Sequence, residues 1–156
     1  MKNRQLVMDN RYFILILILV GIITMMGSLF FSLIVGFFLV KVGVDIENID
    51  RFKIHVRMEN NSFLSKIFTV KELEYCYSKS NPAVHLAARY SGKEAVIKAL
   101  TSIDALIPEY NHIEILNNGR GVPVVSINEE GFDNYKFNIS LSHCDDKVVG
   151  FAVVEK

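Results

Sequence analysis

Cysteine is scarce in this chain, and neither sign of charge is in excess. The 156 residues include two cysteines, Cys76 and Cys144. They are too few and too far apart for a disulfide framework or a zinc-finger spacing. They fit a reducing compartment or plain packing roles. The 17 basic and 17 acidic residues cancel, so bulk charge offers no basis for binding nucleic acid. No Gly-x-Ser-x-Gly elbow, His-Glu-x-x-His pair or P-loop occurs. The signatures of the common hydrolases and nucleoside triphosphatases are therefore missing. There is no internal repeat, and no low-complexity segment apart from one apolar run.

That run is where charge is missing altogether. Between Tyr12 and Val40 no residue is charged. About 20 apolar residues suffice to cross a bilayer as a helix, so a transmembrane helix over about residues 12–35 is expected. A signal peptide is the alternative; against it, the run is longer than a typical h-region and no small-x-small cleavage site follows. Lys2, Arg4 and Arg11 precede the run, and Lys41, Arg51, Lys53 and Arg57 follow it. The positive-inside rule does not choose between the two orientations. The length suits one ordinary domain with a short extra segment, divided here into residues 1–36 and a domain over 37–156.

Phe38 to Ile46 is β-branched and apolar and ends on an acid, as a buried strand would. Ile49 to Met58 reads as a short amphipathic helix, Asn60-Asn61-Ser62 as a loop, and Phe63 to Phe68 as a short apolar segment. Thr69-Val70-Lys71-Glu72 is a capping box that starts a helix carrying Leu73, Tyr75 and Cys76. Asn81 as cap and Pro82 at an early helical position open a long helix to Leu100. Beyond Pro108 strands are expected over 112–116, 122–125, 135–142 and 147–154. Pro123 marks an edge position or a break, and Asp145-Asp146 supplies the last turn. The class is α+β, a largely antiparallel sheet against one long helix.

The long helix carries the candidate chemistry. Glu94 and Lys98 are four apart and share a face, as do Arg89 and Lys93. Three cations around one carboxylate suit a metal beside a phosphorylated ligand. The same pattern also describes a solvated helix face. Asp45 at a strand end is either a helix cap or a ligand. His143 closes an alternating strand, where a histidine is commonly structural or exposed. Gly119-Arg120-Gly121-Val122-Pro123 is a turn signal that also lets backbone approach a ligand.

Val-Gly-Val-Asp-Ile, then Phe-Thr-x-x-Glu-Leu-x-Tyr-Cys over 68–76, Ala-Arg-Tyr-Ser-Gly-Lys-Glu-Ala-x-x-Lys-Ala over 88–99, and Ser-Leu-Ser-His over 140–143 occur in that order. This combination resembles the holo-acyl-carrier-protein synthase family, the short type of 4′-phosphopantetheinyl transferase, over about residues 38–156. The resemblance implies transfer of 4′-phosphopantetheine from coenzyme A to a serine of apo-acyl carrier protein, with adenosine 3′,5′-bisphosphate as the other product. It implies Mg²⁺ held by Asp45 and Glu94. Lys98 and Lys93 match positions near the phosphates, with Lys98 the choice for the pyrophosphate. Ser142 and His143 close the Ser-Leu-Ser-His motif at the nucleotide end of coenzyme A, assisted by Arg89. Glu72 matches the acid of the Phe-Thr motif and would position water beside the acceptor serine. Arg51 lies where family members meet the acidic carrier, and a homotrimer with sites between subunits is implied.

Two departures stand out. The stretch after the long helix, Thr101-Ser102-Ile103-Asp104-Ala105-Leu106, has no glycine where the family is glycine-rich. Val122 stands where a basic residue is usual. The apolar run precedes the point at which family enzymes commonly begin. Because coenzyme A and carrier protein are cytoplasmic, the expectation is a cytoplasmic catalytic domain on a membrane anchor, with an upstream start-site misassignment as the alternative. The competing function is an anchored, non-catalytic module of the same fold that binds coenzyme A or the carrier.

Overall fold

The computed structural model describes residues 10–38, 40–56, 61–103 and 105–156. Readings that involve Lys2, Arg4, Leu39, Arg57, Met58, Asn60 and Asp104 fall outside the described residues. Helix α1 spans Asn10–Phe38. Among the described residues no helix is long and apolar enough to cross a membrane, so the expected transmembrane helix is not supported.

A second compact unit runs from Val40 to Lys156. It contains β1 (Val40–Asn48), α2 (Asp50–Val56), α3 (Ser62–Ile67), α4 (Val70–Tyr77) and α5 (Pro82–Thr101). A 3-10 turn over Tyr110–His112 then leads to β2 (Ile113–Asn117), β3 (Pro123–Ile127), β4 (Lys136–Cys144) and β5 (Lys147–Glu155). The strands form two antiparallel sheets, ordered β1-β5-β4 and β2-β3. The α+β class and the antiparallel pairing agree with the sequence reading. Pro123 is the first residue of its strand and pairs with Asn117, a position where its missing N–H costs the ladder least.

Local chemistry sets most of these boundaries. Thr69 caps α4 by accepting from the Glu72 amide, while the Glu72 carboxylate accepts from the Thr69 amide. Pro82 opens α5 as expected, but Asn81 makes no side-chain cap hydrogen bond. The segment over Phe63–Phe68 is helical rather than merely apolar, because the Asn61 side chain accepts from the Phe63 amide and starts α3. Asp145 takes a positive φ of 52° in the β4–β5 turn, which a short polar side chain tolerates.

Helix α5 is the spine of this unit. It is buried on almost every side, Arg89 and Lys93 included, so a solvated charged face is not what it presents. Its Leu86 joins a cluster with Phe52 and Phe68, and further along its Val96 and Leu100 join one with Ile113 and Val154. Two glycines let strands reach its backbone. A Cβ on Gly43 of β1 would overlap the Ala95 carbonyl oxygen and lie 2.8 Å from the Ala99 nitrogen. A Cβ on Gly150 of β5 would overlap the Ser91 carbonyl oxygen. No other residue type permits that approach.

Candidate active site

The close contact of β1 with α5 positions Asp45. Its carbonyl accepts from the Ser91 hydroxyl at 2.9 Å, and that hydroxyl in turn accepts from the Gly150 amide at 2.8 Å. Asp45 is two residues from Gly43, so its side chain lies on the helix-facing side of the strand. There Lys98 Nζ donates to Asp45 Oδ1 at 2.8 Å and to the Val44 carbonyl at 3.1 Å. Asp45 Oδ2 is buried and has no hydrogen-bond partner among the described residues, an expensive condition for a carboxylate oxygen unless a ligand completes it.

Glu94 lies one turn before Lys98 on α5. Its Oε1 accepts from the Tyr110 hydroxyl. Burial and this bond to the carboxylate push the Tyr110 phenol above its ordinary value. Lys98 is held above its usual value by the hydrogen bond to Asp45, with the Glu94 charge adding to the effect. Asp45, Glu94 and Lys98 thus form one electrostatic group. Among the described residues no set of three or more His, Cys, Asp or Glu side chains gathers as a metal site. Two carboxylates alone still fit Mg²⁺, which keeps waters and is commonly bound by one or two carboxylates plus substrate phosphates.

A second group of expected residues meets in a cavity of about 230 Å³, where Arg89, Ser142 and His143 line the wall with Tyr75, His85 and Asn117. Gly121 and Pro123 of the glycine turn complete that wall. Arg89 is only 2% exposed. Its guanidinium donates to the His85 carbonyl and to Asn117 Oδ1, and lies 4.1 Å from the Tyr75 ring centroid. Arg89 Nε is buried without a partner among the described residues. Desolvation, with Arg89 beside it, holds His85 below the ordinary imidazole value. A larger groove of about 520 Å³ opens along Lys66–Ile67 and Ile107–Asn111; Tyr110 apart, it touches no residue of either group.

Two expected site residues sit elsewhere. Glu72 and Lys93 are both fully buried and paired at 2.6 Å. Lys93 Nζ also donates to the carbonyls of Ile67 (2.7 Å) and Tyr110 (2.8 Å). The remaining capacity of Glu72 goes to the amides of Thr69 and Ile115, each at 2.9 Å. In this structure both side chains are enclosed and spend their hydrogen bonds on one another and on the surrounding backbone. The physical reason is tertiary: the end of α3, α4 and the 3-10 turn close over Lys93. Nor is Cys76 a nucleophile, since burial pushes its thiol up to about 12. Arg51 is accessible, paired with Glu47 at 2.8 Å and placed 4.9 Å from the Tyr90 ring centroid. Sequence reasoning missed Tyr90, Tyr110, His85 and Asn117. Tyr90 stood inside a quoted motif, but only its neighbours carried charge; the other three lay in no motif.

Comparison with known proteins identifies the family. A family model described as the 4′-phosphopantetheinyl transferase superfamily matches residues 41–152. A holo-[acyl-carrier-protein] synthase of Aquifex aeolicus is 40% identical over 119 residues, covering 74% of this chain and 98% of that protein. One of Thermodesulfovibrio yellowstonii is 44% identical, covering 72% and 96%. The solved structure of the Bacillus anthracis holo-(acyl-carrier-protein) synthase in complex with CoA (3′,5′-ADP) superposes with a TM-score of 0.59 at 25% identity, over 74% of this chain and 95% of that one. With its paired acids on β1 and α5 inside the matched span, the chain belongs to the 4′-phosphopantetheinyl transferase superfamily and, within it, to the holo-[acyl-carrier-protein] synthases.

Proposed function

We propose that this holo-acyl-carrier-protein synthase transfers 4′-phosphopantetheine from coenzyme A to apo-acyl carrier protein at the Asp45–Glu94–Lys98 group. The supporting observation is the unpartnered, buried Oδ2 of Asp45 beside an accessible lysine ammonium. Asp45 and Glu94 would hold Mg²⁺, which supplies positive charge against the anionic transferring group and leaving group. The Lys98 ammonium, half exposed, offers a further charge to the pyrophosphate. The acceptor serine Oγ attacks the phosphorus carrying pantetheine, and its proton passes to solvent water. The phosphoanhydride bond breaks, and adenosine 3′,5′-bisphosphate leaves with the bonding electrons.

The cavity of Arg89, Ser142 and His143 takes the nucleotide end of coenzyme A. Arg89 supplies a buried N–H donor that lacks a protein acceptor, and the 3′-phosphate is an acceptor of the right charge. Arg51, exposed on α2, meets the acidic carrier. The apolar outer face of the sheet, Val42, Val44, Ile46 and Phe151, supports a homotrimer, since Val44 pairs with Phe151 across β1 and β5 and such a patch is unusual on a monomer. The catalytic unit works in the cytoplasm, where its substrates are.

Incubation with apo-carrier, coenzyme A and Mg²⁺, followed by mass spectrometry of the carrier, tests the transfer. A phosphopantetheine adduct that disappears in Glu94→Ala is expected. Binding of coenzyme A without any adduct would support the non-catalytic module instead. Light scattering tests the trimer, and a fully active monomer overturns it.

A further inference from the structure

Tyr110 stands in no motif, yet it reaches Glu94. Its hydroxyl donates to Glu94 Oε1, while its own backbone and ring are fixed by other contacts. Its carbonyl accepts from the fully buried Lys93 Nζ at 2.8 Å. Its ring stacks on Tyr90, with centroids 5.9 Å apart and planes 6° from parallel. The turn it begins is closed by the His112 amide donating to the Glu109 carbonyl at 2.9 Å, and by the Asn128 amide donating to the His112 carbonyl at 2.8 Å.

The phenol is therefore the fixed partner and the carboxylate the mobile one. Glu94 has three side-chain torsions and is only partly buried. A hydrogen bond at Oε1 selects one of its orientations. A neutral donor does this without cancelling the carboxylate charge, as a lysine or arginine would. The buried Lys93–Glu72 pair then acts at one remove. It pins the Tyr110 backbone, and the Tyr110 side chain reaches back across α5 to the residue after Lys93.

We propose that Tyr110 is a positioning residue, whose hydroxyl holds the Glu94 carboxylate in the orientation that binds a divalent cation. This rests on the proposed role of Glu94 as a metal ligand. Hydrogen-bonding partners behind metal ligands commonly change metal affinity by 10- to 100-fold when removed. Tyr110→Phe keeps the ring, the stacking on Tyr90 and the backbone bond to Lys93, and removes only the hydroxyl.

The experiment uses the full chain as wild type, Tyr110→Phe and Glu94→Gln. Mn²⁺ binding is followed by electron paramagnetic resonance with the enzyme saturated in coenzyme A. Transfer rates are measured across a Mg²⁺ series, and melting temperatures by circular dichroism. Tyr110→Phe should weaken Mn²⁺ binding about tenfold and raise the half-saturating Mg²⁺ by a similar factor. Its rate should recover toward wild type at saturating Mg²⁺, with the KM for coenzyme A unchanged. If Glu94→Gln weakens Mn²⁺ binding but Tyr110→Phe does not, the positioning role is overturned and the metal reading stands. If Glu94→Gln binds Mn²⁺ as wild type does, the metal reading fails and the positioning role falls with it. A lower melting temperature in Tyr110→Phe at unchanged Mn²⁺ affinity makes Tyr110 purely structural and also overturns the proposal.

Discussion

Replacing Lys93 by methionine tests the frame of the site most directly. Lys93 and Glu72 have no exposed side-chain surface and meet at 2.6 Å. Burial is the largest influence on each, raising the Glu72 carboxyl and lowering the Lys93 ammonium from their ordinary values. Burial disfavours the charge on each group, while the partner, and for Glu72 also the Thr69 and Ile115 amides, favour it. Lys93→Met leaves the Glu72 carboxylate with the two amides of Thr69 and Ile115. It also strips the Ile67 and Tyr110 carbonyls of their donor. Removing one partner of a buried ion pair costs about 3–5 kcal/mol. For the Val40–Lys156 unit, at about 4 °C per kcal/mol, that lowers the melting temperature by about 12–20 °C.

Acidity supplies a second readout. With Lys93 gone, the folded Glu72 pKa rises further above the unfolded value near 4.5. A raised carboxyl pKa means that the folded state binds the proton more tightly than the unfolded one. The penalty is then full above the folded pKa and shrinks as pH falls toward the unfolded value. The variant's deficit relative to wild type should therefore narrow in mild acid. Adding Glu72→Gln should recover part of the loss, giving a coupling of about 1 kcal/mol or more. Thermal melts from pH 7 to pH 5 decide the matter. A Lys93→Met protein that melts within about 3 °C of wild type, with a deficit independent of pH, refutes the reasoning.

Gly43→Ala should displace β1 from α5, because the added methyl overlaps the Ala95 carbonyl. A loss of about 1–3 kcal/mol and a larger fall in transfer rate than in coenzyme A binding are expected, by urea melts and kinetics. His85 should titrate below the ordinary imidazole value, because burial and Arg89 disfavour its cation. Its contribution to stability is complete above the unfolded value and is lost as pH falls from there through the lowered folded value, which nuclear magnetic resonance of the ring protons can follow. A chain starting at residue 37 should keep the transfer activity, since the second compact unit begins at Val40. Loss of the adduct from that truncated but folded chain would show that α1 takes part.

What was legible in the sequence was local or repeated a short spacing. The Thr69–Glu72 capping box, Pro82 at the start of α5 and the alternation of β4 each depend on residues within one turn or one strand. The paired acids Asp45 and Glu94 and the cations around Glu94 were legible as residue types in an ordered set of motifs. Neither spacing nor charge could say which of those cations meets solvent. Lys93 and Lys98 look alike in sequence, but α3, α4 and the 3-10 turn close over Lys93, while Lys98 emerges beside β1. Glu72 has a cap role visible three residues away, and its other partners are Lys93 and Ile115, far along the chain. The helix α3 was hidden because its start depends on one asparagine side chain rather than on a long periodic pattern. By itself the sequence determined the fold class, most element types and the acids of the candidate site. Only the tertiary structure decided which charges are buried in the frame, which remain open to a ligand, and that a tyrosine from a distant turn holds Glu94. Burial and long-range hydrogen bonds come from packing, and packing joins residues that no local spacing relates.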